Sequence, residues 1–285
     1  MMSTFDRRLT PARPDLAAAH LEGKVQATRF AAGRRMQIVA PFADVKSAPS
    51  PDAGLDTQAL CGEIVTIYED EEGWAWGQLE RDSYVGYLPA IALAACVIET
   101  THRVCVAGTF VYPGASMKLP VDARLPLGAE VAVVDISGDF AKLARGGFVF
   151  ARHLAEKGAA APDFVAVAES VIGTPYLWGG KTPAGLDCSG LVQLSLLMAG
   201  KSSPRDTDMQ ARGLGNAPSS GDDLPALRRG DLIFWKGHVG IMRDAETLLH
   251  ANGFHMLVAS EPLAVARDRI AKNSFGAVTG VKRLG

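Results

Sequence analysis

The chain has 285 residues, a length that suits about two domains better than one compact core. Hydrophobic residues make up 48% and charged residues 21%, which excludes wholesale disorder. Twenty-nine basic against 31 acidic residues leave a net charge of −2, so there is no bulk electrostatic reason to bind nucleic acid or an anionic membrane.

Four cysteines stand at Cys61, Cys96, Cys105 and Cys188. None forms a C-x-x-C pair, which argues against a cysteine-rich zinc site, and they are too sparse for a disulfide scaffold. Free thiols in a reducing compartment are expected. At the N-terminus, Asp6, Arg7, Arg8, Arg13 and Asp15 interrupt any signal-peptide core, leaving only Leu16 to Ala19 as an uncharged apolar run. The most apolar stretch, Ala90 to Ile98, is about half the length needed to cross a bilayer. The expectation is a soluble cytoplasmic protein.

Residues 1–33 are rich in Ala, Arg and Pro and predict an extended arm with a short helix around Leu16–Leu21. From 34 to 155 the pattern is short strands. Ile64 to Tyr68 is β-branched and aromatic, Asp70 to Gly73 reads as a turn, and Trp74 to Leu79 alternates as a second strand. A third strand follows over Tyr84 to Pro89. A weaker copy comes next: Glu130 to Val134 echoes Glu63 to Ile67, Phe140 to Leu143 echoes Trp76 to Leu79, and Gly147 to Val149 echoes Gly86 to Leu88. These blocks, 34–98 and 99–155, resemble bacterial SH3-like barrels; one larger β-sandwich is the alternative. Glu156 to Pro162 reads as a linker, after which Asp163 caps a helix through Phe164, Val167, Ala168 and Val171.

The chemistry concentrates further on. Pro175-Tyr176-Leu177-Trp178-Gly179-Gly180 leads into Asp187-Cys188-Ser189-Gly190, and Leu191, Leu194, Leu197 and Met198 continue at helical spacing up to Gly200. Cys188 therefore stands at a helix N-terminus, where the dipole favours a thiolate and unpaired N–H groups can receive an oxyanion. A cysteine nucleophile needs a base, and the base needs an orienting partner. Gly230 to Met242 reads as strand, Lys236-Gly237 turn, strand, with His238 opening the second strand. Glu246 to His250 is a further strand candidate. If the last two pair antiparallel, His238 and His250 become neighbours, with His250 setting the tautomer of His238. Gly179-Gly180 is no phosphate loop, since no Lys-Ser/Thr pair follows at the right spacing.

The set Y-x-W-G-G, D-C-S-G, G-D-L-x-F, H-V-G-I and H-A, in that order over 163–285, resembles the NlpC/P60 cysteine peptidases of bacterial cell-wall peptides. The resemblance implies an α+β chain: a papain-like catalytic domain over 163–285, preceded by an arm over 1–33 and two small SH3-like β-barrels. It implies Cys188 as nucleophile, His238 as base, His250 as third polar residue and Tyr176 near the oxyanion. Arg205-Asp206-Thr207 is similar to a segment of members that cleave after γ-D-glutamate. By that likeness Asp206 binds the ammonium of an N-terminal L-Ala, with Thr207 where a Ser often stands, and Asp187 and Ser189 contact the γ-D-Glu part. The first SH3-like domain of such relatives narrows the pocket with a Glu and a Tyr, for which Glu63 and Tyr84 are the candidates.

The expected function is hydrolysis of the bond between γ-D-Glu and diaminopimelate or Lys in short muropeptides with a free L-Ala, in murein recycling. The alternatives are an inactive peptide-binding module, or an amidase or acyltransferase using the same Cys-His-His set. No metal or other cofactor, nucleic acid, membrane or obligate protein partner is called for. His20, His102, His153 and His255 carry no expected role.

Overall fold

The computed structural model describes residues 5–218 and 226–285. Expectations for residues 1–4 of the arm and 219–225 of the C-terminal domain lie outside those residues. The chain divides into two compact units, Met1–Lys157 and Gly158–Gly285.

In the first unit the helix expected around Leu16–Leu21 is replaced. Strand β1 (Leu16–Ala18) pairs in parallel with β2 (Arg29–Ala31), and only a 3-10 turn, Ala19–Leu21, follows. A six-residue helix cannot stand on propensity alone. The strand buries Leu16 completely against Trp76 and Val85.

Strands β3 (Arg34–Ile38), β4 (Phe42–Lys46), β5 (Leu55–Leu60), β6 (Ile64–Glu71), β7 (Trp74–Leu79), β8 (Val85–Pro89) and β9 (Leu93–Ala94) form one antiparallel sheet. Its order is β5-β4-β8-β7-β6-β3-β9. Alternation sets its buried face: Val65 and Ile67 point into a core with Met36, Val45, Leu79 and Leu88, while Ile64 and Thr66 are half-buried. The β6–β7 hairpin is tighter than the sequence suggested. Both strands run past Asp70, and the turn is Glu72-Gly73, with φ of 51° and 82°. A two-residue turn of that hand matches the strand twist.

Strands β10 (His102–Val104), β11 (Gly108–Val111), β12 (Ala123–Pro126), β13 (Glu130–Val131), β14 (Val133–Ser137), β15 (Phe140–Leu143), β16 (Phe148–Phe150) and β17 (Leu154–Glu156) repeat the connectivity. β3 pairs with β6 and β9; β10 pairs with β13 and β17. β4–β5 and β11–β12 are hairpins, and β6-β7-β8 has its counterpart in β14-β15-β16. A 3-10 turn follows β8 and β16 alike, at Ala90–Ala92 and Ala151–His153. The second copy has its own core around Val104, Leu125, Val131 and Val149. Where β6 is continuous, the copy breaks between β13 and β14, so its strands fall into three small sheets. Among the described residues neither copy closes into a barrel, which corrects the expectation of closed barrels. Buried Glu130 ties the two copies together. It receives Arg81 at 2.9 Å, Arg103 at 3.1 Å and Lys157 at 3.0 Å.

The second unit has mixed helix and strand content. Helix α1 (Phe164–Glu169) starts as expected, with Asp163 accepting from the Val165 N–H at 2.8 Å. A small hairpin, β18 (Lys181–Thr182) and β19 (Gly185–Leu186), leads into α2 (Cys188–Met198), and α3 (Thr207–Gly213) follows. Strands β20 (Leu232–Trp235), β21 (His238–Met242), β22 (Thr247–Asn252), β23 (Leu257–Pro262) and β24 (Gly280–Lys282) form an antiparallel sheet ordered β23-β22-β21-β20-β24. Helix α4 (Leu263–Asn273) buries Leu263, Ala266 and Ile270 among sheet residues including Ile233, Met242 and Leu248. Helix α2 packs on α1, β21 and β22 and is buried on nearly every face, which suits its many Leu, Val and Met residues.

Candidate active site

Cys188 is the first residue of α2. Asp187 caps the helix, accepting from the Gly190 N–H at 2.6 Å with one oxygen and the Gly179 N–H at 2.9 Å with the other. Gly190 is required here, since a Cβ would lie 2.1 Å from the Gly180 carbonyl oxygen. Arg205, only 1% exposed, clamps Asp187 with bonds of 3.0 and 2.7 Å and donates to Ser189 Oγ at 2.9 Å. The Ser189 hydroxyl in turn donates to Asp187 at 3.3 Å. Both Asp187 oxygens and the Ser189 hydroxyl are therefore engaged in holding the turn that presents Cys188. Arg205 is the residue that the motif reading left without a role; its signal was an Arg in a segment otherwise destined for burial.

Thr207 Oγ1 lies 3.6 Å from Cys188 Sγ, bringing the start of α3 to the thiol. Asp206, half-buried, is the N-cap residue of α3 but its side chain does not cap that helix. The thiol also receives the Val239 backbone N–H, which sets it beside the first residues of β21. Burial pushes the Cys188 thiol up to about 11, helped by the Asp187 carboxylate; Thr207, the Val239 N–H and Arg205 pull the other way. Tyr176 is half-buried, and burial with the nearby Cys188 and Asp187 raises its phenol, keeping it a hydrogen-bond donor. Trp178 is 69% exposed and packs into no core.

The β21–β22 register pairs Ile241 with Leu249 and Met242 with Leu248. Extended toward the start of β21, it sets Gly240 opposite His250 and His238 one diagonal step away. A Cβ on Gly240 would meet Leu248 Cδ1 at 2.6 Å and His250 Cβ at 3.3 Å, so a glycine there leaves room for the ring. His238 Nε2 and His250 Nδ1 are 2.8 Å apart. Both rings are buried, between Trp235 and Phe275 on the His238 side. Burial, then the neighbouring His250, pushes His238 down to about 3, and burial also lowers His250. Each charge is disfavoured alone. A thiolate and an imidazolium formed as a pair would offset one another's cost.

The structure thus gathers Cys188, Asp187, Ser189, Tyr176, Asp206 and Thr207 around the start of α2, and His238 and His250 on the adjoining strands. Glu63 and Tyr84 belong to the first unit and are interior to it. Glu63 is 2% exposed with Arg81 Nε at 3.1 Å, and Tyr84 sits in the first β core. Glu63 is closed off from solvent, while Tyr84, though 4% exposed, lines a cleft of the first unit. That cleft, of about 580 Å³, is also lined by Glu69 and Tyr87, which are joined through Arg13. Among the described residues no cluster of three or more His, Cys, Asp or Glu is arranged to hold a metal. No described helix is long and apolar enough to cross a membrane.

A thiol at the start of a buried helix, with two hydrogen-bonded histidines on the strands that helix packs against, has the residue types a thiol hydrolase requires. Residues 173–268 match the NlpC/P60 family model, and residues 45–93 match the bacterial dipeptidyl-peptidase Sh3 domain. Dipeptidyl-peptidase 6 of Lysinibacillus sphaericus is 37% identical over 102 residues, 36% of this chain and about a third (36%) of that protein's length. A probable endopeptidase of Corynebacterium glutamicum is 33% identical over 186 residues, 62% of this chain and 78% of that one. The γ-D-glutamyl-L-lysine dipeptidyl-peptidase of Bacillus subtilis is 27% identical over 226 residues, 70% and 73% of the two chains. The fold matches the crystal structure of an NlpC/P60 family protein from Bacillus cereus with a TM-score of 0.71 and 19% identity, over 87% of this chain and 99% of that one. The chain belongs to the NlpC/P60 family of peptidases, with an SH3 domain toward its N-terminus.

Proposed function

We propose that the protein hydrolyses the amide between γ-D-Glu and a diamino acid, diaminopimelate or Lys, in short cell-wall peptides that carry a free N-terminal L-Ala. The observation that carries this is the 3.6 Å contact of Thr207 with Cys188, which makes Asp206 the chain neighbour of a residue that touches the thiol. A carboxylate in a half-buried site is the natural partner for an ammonium. The name of the Bacillus subtilis relative supports the same bond.

In this reading His238 takes the Cys188 proton as sulfur attacks the γ-carbonyl carbon. The oxyanion is met by the Cys188 N–H at the helix start and by the Tyr176 hydroxyl. His238 then gives the proton to the leaving amine, releasing the diamino acid. Water, deprotonated by His238, attacks the thioester, and the sulfur leaves as the thiol. Recycling of released peptides in the cytoplasm is the proposed setting; a free L-Ala ammonium requires that the peptide has already left the glycan. We also take residues 99–155 to be a diverged second SH3-like module, on the repeated strand pairing. Mass spectrometry of L-Ala-γ-D-Glu-diaminopimelate with wild type and Cys188→Ala tests the mechanism. Cleavage that persists in the variant would overturn it.

A further inference from the structure

The hydrogen-bonded chain behind the thiol does not stop at His250. Glu261 lies on β23 opposite Leu248, one diagonal step from His250 on the same face. Its Oε1 is 2.8 Å from His250 Nε2. Arg269, two turns into α4, clamps both Glu261 oxygens at 2.6 Å each. The carboxylate is thus shared between a fixed guanidinium and a buried imidazole.

We propose that Glu261, held by Arg269, is a positioning residue that sets the tautomers of both histidines and so selects the basic nitrogen of His238. The inference rests on reading Cys188 as nucleophile and His238 as base. A carboxylate can only accept, so His250 must carry its proton on Nε2. His250 Nδ1 is then a lone pair, and it can pair only with a protonated Nε2 on His238. That leaves His238 Nδ1 as the unprotonated atom, free to take the thiol proton. The carboxylate also gives a negative counterpart to the positive charge that arises on His238 during transfer. Arg269 keeps it ionised, well below the usual carboxylate range at about 2 despite its burial. The other groups facing this pair are Cys188 from α2 and His255 from the β22–β23 turn. His255 Nδ1 is 3.9 Å from Glu261 Oε1.

The test is the pH profile of Cys188 alkylation by iodoacetamide, followed by mass spectrometry on the peptide carrying that residue, so that Cys61, Cys96 and Cys105 do not contribute. Glu261→Gln keeps an acceptor and removes the charge; the opposite amide flip would aim N–H at both Arg269 and His250. Without the carboxylate, positive charge on His238 is less favoured. The plateau rate should fall about tenfold and the acid limb should move to lower pH by about one unit. A merely loosened pocket would hydrate His238 and move the limb up, toward its ordinary value. An upward shift or an unchanged profile overturns the proposal. Should the variant not fold, nitrogen-15 NMR of the wild-type histidines decides: both rings must be protonated on Nε2, and an Nδ1–H on either overturns it. His238→Ala separates the two levels, because loss of alkylation there with normal Glu261→Gln behaviour leaves the base assignment intact and removes only Glu261.

Discussion

Phe275 lies flat on the ring of His238, with centroids 5.3 Å apart and planes within 5°. The contact covers one face of the imidazole and excludes water from it. It is part of why burial holds His238 so far below the ordinary histidine range. Replacing Phe275 with Ala should admit water, raise His238 and move the acid limb of Cys188 alkylation up by about one unit. An unchanged limb would show that the stack has no electrostatic role.

Arg205 and Asp187 form a buried bidentate pair at the entrance to α2. Arg205→Met leaves the Asp187 charge uncompensated and should cost about 3–5 kcal/mol in urea denaturation. Arg205→Lys cannot reproduce the fork and should recover only part of the loss. Full recovery by Lys would mean that charge alone suffices.

Asp206→Asn should leave Cys188 alkylation unchanged but lower kcat/KM for a peptide with free L-Ala by about ten- to a hundredfold. Acetylating the L-Ala nitrogen should remove the same advantage from the wild type. Equal losses in variant and wild type on both substrates would show that Asp206 does not meet the ammonium.

Stability should fall in acid. Glu130 sits at about 2, with burial outweighed by Arg81 and Lys157. Glu261 is also near 2, and His238 is near 3. All are lower folded than unfolded. Below about 6.5 for the histidine and about 4.5 for the glutamates, the unfolded chain takes up protons that the folded one resists. The stabilisation is complete above those values and disappears as pH drops toward 2–3. Glu130→Gln should flatten the lower part of this dependence and destabilise the first unit, read by thermal melts across pH.

Much of the site was legible because its chemistry is local in sequence. The Asp-Cys-Ser-Gly turn carries its own helix cap, its own thiol and a glycine that must have no side chain. The two histidines were legible because they lie on consecutive apolar strands, β21 and β22, joined by the short connection 243–246, which makes their approach a matter of register. The pocket-wall residues were not. Glu63 and Glu69 stand on the same side of a loosely constrained β pattern, and only packing decides that Glu63 is buried with Arg81 while Glu69 reaches the cleft. The arm shows the same limit: Leu16–Leu21 has enough Ala for a helix, yet pairing with β2 buries Leu16 and wins.

The sequence by itself determined the family, the thiol at a helix start, the histidine pair and the repeated β pattern. These depend on residue type and on spacing within single segments. Only the tertiary structure decided what stands behind them. Arg205 reaches Asp187 from outside the helix it supports, and Glu261 and Arg269 close on His250 from a separate strand and helix. Such partners are joined by the folding of distant segments onto one another. Their charges become consequential because burial removes the water that would otherwise screen them.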